Sequence, residues 1–323
     1  MNFVRNYVKG LIMSLLLTLL LAASYTYAIN KSLSIEGNQG APVGSNIVYV
    51  KADASGANNG TSWGNAYNDL QNALASGTSG SEIWVAAGTY KPSSATDRRA
   101  TFNLQNGIAI YGGFNGTETS RSERNWVTNI STLSGDLNSN DNNNIDTDDP
   151  TRSDNSHHVV SSSNTDQSAV LDGFLIVAGN ANQAGVDGLG GGVYNNNSSS
   201  TINNITFRNN SANNGGGMAN QNSSLLVSNS VFNSNSANNN GGGIYNNNSR
   251  LTVKNVTFNG NSARNGGGMA NLRVFLVQLR ARARHRRLAD GRRAARARGP
   301  VRPRPVDAAV AVEIGRASCR ERV

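Results

Sequence analysis

The chain has 323 residues, a formal net charge of +9 and a hydrophobic content of 37%. The positive charge lies at the two ends, since residues 29–271 hold 12 Lys or Arg against 16 Asp or Glu, a net charge of −4. This excludes a strongly basic nucleic-acid-binding domain from the central part of the chain. The one cysteine is Cys319, so the residues before 272 can form neither a disulfide nor a cysteine-ligated metal site.

The N-terminal residues have the three parts of a secretory signal. A positively charged start precedes the apolar run Leu11–Ala23, and Thr26–Ala28 supplies the small residues of a cleavage site. The alternative is a membrane anchor, but a spanning helix needs about 20 apolar residues and this run is shorter. We therefore predict a cleaved signal peptide over 1–28 and a linker over 29–45, which leaves the mature chain without a transmembrane segment.

Residues 272–323 differ abruptly in composition from the chain before them. They hold 15 Arg and are rich in Ala, Gly and Pro, whose codons are G/C-rich, whereas the preceding region is rich in Asn, Ile and Lys. The final Glu313–Val323 resembles one reading frame of a sequencing-library adapter. We interpret 272–323 as an artefactual, disordered tail. The alternative is a basic tail that binds nucleic acid.

Glycine triplets recur at a nearly constant spacing. They begin at Gly190, Gly215, Gly241 and Gly266, at intervals of 25, 26 and 25 residues. Aligning the repeats also aligns columns of aliphatic, aromatic, alanine and asparagine residues. The columns are Val193, Met218, Ile244 and Met269; Ile202, Val227 and Val253; Phe207, Phe232 and Phe258; Ala212, Ala237 and Ala263; Asn195, Asn220 and Asn246; Asn204, Asn229 and Asn255; and Asn210, Asn235 and Asn261. A period of this length indicates a stacked, solenoid architecture.

Local alternation indicates that the repeats consist of strands. Leu251–Phe258 alternates apolar and polar residues, breaks at Asn255 and resumes with the opposite parity, which predicts two short strands joined at a corner. The GGG segment supplies a third strand. We therefore predict an all-β fold, a right-handed parallel β-helix whose rungs stack at about 4.8 Å, with like side chains over like and Asn ladders at the corners.

Two alternative interpretations of the repeats fit the sequence less well. A helical repeat disagrees with the high Asn and Gly content, since both residues have poor helix propensity. Disorder is the more serious alternative for so polar a sequence, but a disordered chain has no need of aligned Phe and aliphatic columns. Ser230 is a flaw in the columns, because the other repeats have Ile205 and Val256 there. Either Val231 points outward or the turn shifts by one residue.

The predicted β-helix domain covers residues 46–271, with regular repeats over 190–271 and irregular rungs over 46–189. Ser168–Asn182 resembles a diverged repeat. Further apolar strands are expected upstream, within Asn46–Ala54, Glu82–Tyr90 and Ala100–Phe114.

Residues 65–77 break the strand pattern and predict a short helix. Asn65 is a suitable N-cap and Gly77 a suitable C-terminal residue. The apolar residues on one helical face are Tyr67, Leu70 and Leu74. A helix beside the first strand suits a lid on the open end of the β-helix, which would otherwise expose apolar side chains. A docking surface is the alternative.

The GGG repeats followed by Phe-x-x-Asn-Ser-Ala resemble the repeats of bacterial polymorphic outer membrane proteins. The matching residues are Gly190–Gly192 with Phe207 and Asn210, Gly215–Gly217 with Phe232 and Asn235, and Gly241–Gly243 with Phe258 and Asn261. Upstream, VYVKADASGANNGTSW, EIWVAAGTYKP and IAIYGGFNGTETSR are similar to parts of large secreted bacterial proteins with a right-handed, pectin-lyase-like β-helix. The resemblance implies secretion, display at the cell surface or outer membrane, and an adhesive or passenger role. Such proteins usually carry a C-terminal anchor or barrel, so the mode of attachment stays open.

The pectin-lyase-like fold also hosts polysaccharide lyases and hydrolases, which use clustered carboxylates. Residues 190–271 contain no Asp or Glu, which leaves the acidic segment 135–150 as the place for such chemistry. Its candidate Ca²⁺ ligands are Asp136, Asp141, Asp146 and Asp148. Their spacing is rich in oxygen donors, although the segment lacks the Gly and the closing Glu of an EF-hand loop. A solvated polar insertion is the alternative, and no other cofactor is expected.

Further polar residues give no catalytic prediction. His157 and His158 are adjacent ahead of a strand, so alternation would send them to opposite faces and disfavour joint metal ligation. Asp172 precedes a glycine and fits a turn. Arg98 and Arg99 could bind acidic sugars, but exposed charge explains them more simply.

The sequence therefore favours a secreted or surface-displayed protein with a structural or adhesive role. It would be a monomeric rod whose repeated Asn, Ser and Thr bind an extracellular glycan or protein surface, and not nucleic acid. One alternative is a polysaccharide lyase or glycoside hydrolase of pectin-lyase-like fold. A second is an autotransporter passenger separated from its barrel.

Overall fold

The computed structural model describes residues 46–94, 96–142 and 144–272, together with the backbone of 278–280. The predicted signal peptide over 1–28, the linker over 29–45 and the remainder of the tail lie outside these residues, so they stay predictions. Among the described residues, no helix is both long enough and apolar enough to cross a membrane.

The irregular part of the chain contains short strands and one α-helix. In chain order these are β1 (Ile47–Val50), α1 (Leu70–Ser76), β2 (Glu82–Ala86), β3 (Gly88–Tyr90), β4 (Phe102–Leu104), β5 (Ala109–Phe114), β6 (Ser131–Ser134), β7 (Val160–Ser163), β8 (Val170–Asp172), β9 (Phe174–Val177) and β10 (Asn180–Ala181). Single 3-10 turns lie at Arg121–Glu123, Pro150–Arg152 and Gly185–Gly188.

The repeats are built from strands alone. These are β11 (Val193–Asn196), β12 (Thr201–Asn203), β13 (Thr206–Arg208), β14 (Ser211–Asn214), β15 (Met218–Gln221), β16 (Ser224–Ser228), β17 (Val231–Asn233), β18 (Ser236–Asn240), β19 (Ile244–Asn247), β20 (Arg250–Lys254), β21 (Thr257–Asn259), β22 (Ser262–Asn265), β23 (Met269–Leu272) and β24 (Gln278–Arg280). The last strand lies in the segment that we interpret as foreign, and its backbone pairs with β20.

Neighbouring strands in every sheet are parallel and come from successive turns of the chain. Sheet I has the order β1-β2-β5-β8-β12-β16-β20-β24, and sheet II the order β3-β6-β9-β13-β17-β21. Sheet III has the order β4-β7-β11-β15-β19-β23, and sheet IV the order β10-β14-β18-β22. Each full repeat adds one strand to each sheet in the sequence III, I, II, IV. This is a parallel β-helix, as predicted.

The repeats have four strands, and the prediction of three was wrong in this respect. The unpredicted strand is the Ser-Ala-Asn segment of sheet IV, for example Ser211–Asn214 in β14. Serine and asparagine are poor strand formers, so alternation alone gives no signal there. Pairing with the same segment of the next rung fixes the extended conformation, since Ser211 and Ala212 lie opposite Ser236 and Ala237.

The pairing register places like residues over like residues in the core. Phe207 lies opposite Phe232, which lies opposite Phe258. The first two rings are 4.3 Å apart between centroids and the next two are 5.2 Å apart, both in stacked geometry. The diverged repeat is also confirmed, because Ile176 of β9 lies directly under Phe207.

Buried asparagines continue the stacking with hydrogen bonds along the axis. Asn195 Nδ2 donates to Asn220 Oδ1 (2.8 Å), Asn220 Nδ2 to Asn246 Oδ1 (2.6 Å) and Asn246 Nδ2 to Asn271 Oδ1 (2.8 Å). A second ladder of the same direction contains Asn210, Asn235 and Asn261. Burying an amide is costly unless it is hydrogen-bonded, and within each ladder the amide of one rung donates to the amide of the next. Asn195 Oδ1, at the start of the first ladder, is buried without a partner among the described residues.

The glycine triplet allows the rungs to approach each other closely. Gly215 has a φ of 72°, in the left-handed region that favours glycine. A Cβ on Gly217 would lie 2.7 Å from Gly243 O and 2.7 Å from a ring carbon of Phe232. Steric constraints therefore explain the glycine triplet, since a side chain at position 217 would collide with the next rung and with the Phe column.

Ser230 fills its column by bonding to the backbone. Its side chain is buried, its Oγ donates to Ser228 O (2.7 Å), and the Ile205 N–H donates to that Oγ (3.1 Å). Val231 is half-buried and pairs with Thr206 in sheet II. The first of the two predicted explanations is therefore correct, because the register of β17 does not shift.

Helix α1 is shorter than predicted. It begins at Leu70, capped by Asp69, whose side chain accepts from Gln71 N. Asn65 is not the N-cap, because its Oδ1 accepts from Ala57 N (3.0 Å) and the chain after it is held against β1. Gly77 ends the helix as predicted. The buried face, Leu70, Ala73 and Leu74, joins the main core at the first rungs.

We expect Phe232→Ala to lower the free energy of unfolding by about 3–5 kcal/mol, because it opens a cavity between two stacked rings. Leu226→Ala is the matched control, since Leu226 lies on the outer face of sheet I and is 41% exposed. Its effect should stay within about 0.5 kcal/mol. Urea unfolding followed by circular dichroism measures both. Equal destabilisation by the two substitutions would contradict the buried column.

Candidate functional site

The corner between sheets I and II is made by asparagines in the left-handed conformation. Asn204, Asn229 and Asn255 have φ values of 52°, 48° and 55°. Asparagine tolerates this conformation better than other residues with a side chain, which explains its recurrence at the corner. In each repeat this corner joins the strand of sheet I (β12, β16 or β20) to the following strand of sheet II (β13, β17 or β21). The asparagine side chains at the corner point outward.

Two of these corner residues, Asn229 and Asn255, form a continuous row of hydrogen bonds with Asn203, the last residue of β12, and with Asp172. We call Asp172, Asn203, Asn229 and Asn255 the corner row. Asn255 Nδ2 donates to Asn229 Oδ1 (3.0 Å) and Asn229 Nδ2 to Asn203 Oδ1 (3.0 Å). Asn203 Nδ2 in turn donates to Asp172 Oδ2 (3.0 Å). An amide has two N–H groups, so each exposed member keeps one donor for a partner.

The corner row continues into a cluster of arginine and aromatic residues. Arg124 pairs with Asp172 (Nη2 to Oδ1, 2.9 Å). Its guanidinium lies 5.0 Å from the ring centroid of Tyr111 and 4.8 Å from that of Trp126. The Arg121 guanidinium is also 4.6 Å from the centroid of Tyr111. Burial raises the pKa of Tyr111, so the phenol stays neutral next to the carboxylates.

A second carboxylate is held in the same way. Glu82 accepts from Arg121 Nη1 (2.7 Å) and from Trp84 Nε1 (2.8 Å). Trp84 stacks on Phe114 with centroids 4.7 Å apart. This side of sheet I was missed as a site. The sequence indicated only that Glu82 and Trp84 alternate with inward aliphatic residues and therefore share the outer face of β2. It did not indicate their partner, because Arg121 lies in a loop about 40 residues later.

The acidic segment is organised around a buried arginine. Arg152 is 1% exposed and its Nη1 donates to Asp141 Oδ2 (3.0 Å). Burial raises the pKa of Asp141, against the effects of hydrogen bonds from Asn155 and of Arg152. Arg152 Nη2 also donates to Gly179 O (3.0 Å), which attaches the segment to the β-helix.

The remaining predicted calcium ligands are used for turns or lie at the surface. Asp136 accepts from the backbone N–H groups of Asn140 and Asp141. Asp146 and Asp148 are exposed, and Asp146 accepts from Asp148 N (3.2 Å). Among the described residues, no three His, Cys, Asp or Glu side chains are placed to hold one metal ion. The cation that contacts Asp141 is a guanidinium, and calcium binding stays a prediction.

The two histidines are buried and bind separate backbone carbonyls. His157 Nδ1 is 3.3 Å from Asn180 O, and His158 Nδ1 is 3.1 Å from Gly190 O. Their ring centroids are 6.5 Å apart. Burial lowers the pKa of both rings, and that of His158 falls to about 4. Both rings are therefore neutral at pH 7, and their contacts are with backbone carbonyls of the β-helix.

The two adjacent arginines have different roles. Arg98 is half-buried and donates to Asn155 O (2.7 Å), Asn180 O (3.0 Å) and Asn182 Oδ1 (2.9 Å), so it links the irregular loops to sheet IV. Arg99 is 80% exposed and pairs with Asp187 at 3.3 Å. The prediction of an exposed charge is thus confirmed for Arg99 and wrong for Arg98, because the partners of Arg98 are distant in sequence.

Comparison with known proteins gives no relative. No family model matches the sequence, and neither the curated proteins nor the solved structures yield a match. The resemblance to polymorphic outer membrane protein repeats stays a prediction.

We expect Arg152→Met to destabilise the protein by about 3–5 kcal/mol, because it leaves the Asp141 carboxylate partly buried without its cation. Arg99→Met removes an exposed pair and should cost less than about 1 kcal/mol. Chemical denaturation at pH 7 compares the two. If both variants lose the same stability, Arg152 does not hold the acidic segment.

Acidification should destabilise the fold through His158. Its folded pKa is about 4 against about 6.5 when unfolded, so between these values the unfolded chain binds the extra proton. The His158 contribution is present above about pH 6.5 and is lost as the pH falls toward about 4. His158→Gln should flatten the stability profile in this window, as followed by thermal unfolding. An unchanged slope would contradict the assignment.

Proposed function

We propose that this protein is a secreted or surface-displayed bacterial β-helix with a structural or adhesive role, and that the corner row contacts an extracellular glycan or protein surface. The supporting observation is the row itself. It presents one amide per rung at Asn203, Asn229 and Asn255, and each of these three amides donates in the same direction, with Asn203 donating to Asp172. A partner with regularly spaced acceptors can bind the donor that remains on each amide.

The other outer faces of the repeats are less suited to a partner. On sheet IV the acidic segment crosses the rungs, since Asn238 Nδ2 donates to Thr147 Oγ1 (3.0 Å). On sheet III, Tyr194, Ala219 and Tyr245 form a second apolar cluster and are largely buried against one another. Another outer ladder joins Asn265, Asn240 and Asn214. The corner row differs from it in continuing into the carboxylate of Asp172 and its partner Arg124.

The stacked architecture supports a binding role that depends on the regular spacing of surface groups rather than on catalysis. Parallel rungs at about 4.8 Å hold the amides at a fixed spacing, so binding an extended polymer requires little ordering of the protein. Each contact is a weak hydrogen bond exposed to water, and affinity would come from many of them. This behaviour fits adhesion better than tight binding of a small molecule.

The test is binding of the full chain to arrayed glycans and to immobilised extracellular proteins. Asn229→Ala with Asn255→Ala should reduce binding at least about tenfold, since two of the rung contacts are lost. The matched control is Asn222→Ala with Asn248→Ala, another exposed ladder pair in which Asn248 Nδ2 donates to Asn222 Oδ1 (2.7 Å). The control should bind like the wild type.

Equal loss in both double variants, or no loss in either, would contradict a corner-row contact. Incubation with pectin, with and without Ca²⁺, tests the enzymatic alternative directly. Formation of unsaturated product that is lost in Asp141→Asn would replace the adhesive role with a lyase activity.

A further inference from the structure

Asparagine placed two residues before a serine or threonine is the acceptor sequence for N-linked sugars in exported proteins. Residues 46–272 contain ten such acceptor sequences. Their asparagines are Asn59, Asn115, Asn129, Asn196, Asn197, Asn204, Asn209, Asn222, Asn247 and Asn255. A chain rich in Asn and Ser contains many by composition alone, so the environment of each one has to distinguish them.

Two of the ten share both their sequence, Asn-Gly-Thr, and their geometry. Thr117 Oγ1 donates to Asn115 Oδ1 (2.7 Å), and the Thr117 N–H donates to the same oxygen (2.9 Å). Thr61 Oγ1 donates to Asn59 Oδ1 (2.8 Å), and the Thr61 N–H again donates to that oxygen (3.2 Å). Among the ten acceptor sequences, which all lie within the described residues, only these two have the hydroxyl bonded to the asparagine amide.

This arrangement leaves the amide nitrogen available for reaction. The Oδ1 atoms of Asn115 and Asn59 take up the threonine bonds, whereas their Nδ2 atoms donate to no acceptor in the described part of the chain. Both asparagines and both threonines, Thr117 and Thr61, are exposed. An enzyme can therefore approach the nitrogen and the hydroxyl of each sequence from solvent.

The two loops are held in place by groups outside the acceptor sequences. The buried carboxylate of Glu118 accepts from the three backbone N–H groups of residues 115–117, at 2.6 to 3.1 Å. Asn65 O accepts from Asn59 N (2.9 Å). Trp63 Nε1 donates to Glu118 O (2.9 Å), which attaches one loop to the other. Both acceptor sequences therefore lie on neighbouring, fixed loops beside the first rungs.

The other eight acceptor sequences are part of the β-helix wall or lack the hydroxyl contact. In five of them the serine or threonine lies in a strand, at Ser131, Thr206, Ser211, Ser224 and Thr257. In two more, Ser198 and Ser249 are buried and donate to backbone carbonyls. Asn197 is exposed, but the Ser199 backbone pairs with Thr165 O (2.7 Å) and its hydroxyl does not contact the amide.

Asn255 shows that exposure alone does not make an acceptor available. Asn255 and Thr257 are both exposed, as at Asn115. However, Asn255 Nδ2 donates to Asn229 Oδ1 (3.0 Å), and Thr257 is the first residue of β21. Reaction there requires local opening of a paired strand, which costs free energy that the Asn115 loop does not require.

We infer that Asn115 and Asn59 are N-glycosylation sites of the folded protein. The donor is a sugar whose anomeric carbon carries a diphosphate. The Asn Nδ2 attacks the anomeric carbon and the new N–C bond forms. The C–O bond to the diphosphate breaks, and the diphosphate leaves with the electron pair. The amide nitrogen gives one proton to a base of the transferase, and no atom is oxidised or reduced. The modification does not involve the corner row, so it goes beyond the proposed adhesive role and can be tested apart from it.

The first experiment measures acceptor reactivity on the folded full chain, purified from cells without N-glycosylation. The chain is incubated with UDP-glucose and a soluble N-glucosyltransferase that recognises Asn-x-Ser/Thr, and each site is quantified by glycopeptide mass spectrometry. Synthetic peptides that span each acceptor sequence give its intrinsic rate. The matched controls are Asn204 and Asn255, which are also followed by threonine.

Relative to their peptides, Asn115 and Asn59 should react at least about tenfold faster in the folded chain than Asn204 and Asn255. Thr117→Ala should abolish reaction at Asn115 and leave Asn59 unchanged, while Thr117→Ser should retain it. Equal relative rates at all four sites would overturn the inference. So would folded-state reaction at Asn204 or Asn255 that exceeds the reaction at Asn115.

The second experiment examines the protein isolated from its own cells, and this part rests on the proposed secretion. A single hexose on Asn115 and Asn59 would indicate a nucleotide-linked donor, and a preassembled oligosaccharide would indicate a lipid-linked donor. Either result supports the assignment. Unmodified Asn115 and Asn59 in the secreted protein would overturn it, whether or not the corner row binds a partner.

Discussion

The structure depends on one constraint, which is that each inward side chain must fit directly against the same position of the next rung about 4.8 Å away. Phe207, Phe232 and Phe258 satisfy it by ring stacking, and Asn195, Asn220 and Asn246 satisfy it by amide hydrogen bonds. Because polar groups are satisfied along the axis, a rung needs few apolar residues. This explains how a chain rich in Asn, Ser and Gly forms a buried core without a large hydrophobic content.

The irregular half also stacks its strands in register, with Ile83 opposite Ile110 and Ile110 opposite Leu171, but its loops differ in length and need other attachments. Buried and half-buried arginines hold these loops to the strands. Arg152 joins the acidic segment to Gly179, Arg98 joins two loops to Asn180, and Arg124 joins another loop to Asp172. A guanidinium has five donors in a fixed plane and can bind several carbonyls at once, which suits the attachment of loops of unequal length. The acidic residues that suggested a metal site are largely the partners of these cations and the caps of local turns.

Sequence reasoning succeeded where interactions repeat and failed where they do not. The Phe, aliphatic and buried Asn columns follow from a period of 25 or 26 residues, since each residue predicts its own partner. The strand Ser211–Asn214 was missed because its residues have low strand propensity and its conformation comes from pairing. The start of α1 was missed because Asn65 is held by Ala57. Three carboxylates have arginine partners at sequence separations that do not repeat: 39 residues for Glu82, 11 for Asp141 and 48 for Asp172. No local sequence pattern could therefore predict these pairs.

The two kinds of asparagine ladder differ in how far a substitution would affect stability. The buried ladder donates toward the C-terminal end, from Asn195 to Asn220, whereas the corner row donates toward the N-terminal end, from Asn255 to Asn229. A buried amide that loses its partner is left unsatisfied, and this restricts Asn220 to asparagine. At the corner, water replaces a lost partner at little cost, so only the left-handed backbone restricts the residue type. Under the proposed function, substitution of outer amides would therefore alter what the surface binds, while the inner amides keep the rungs in register.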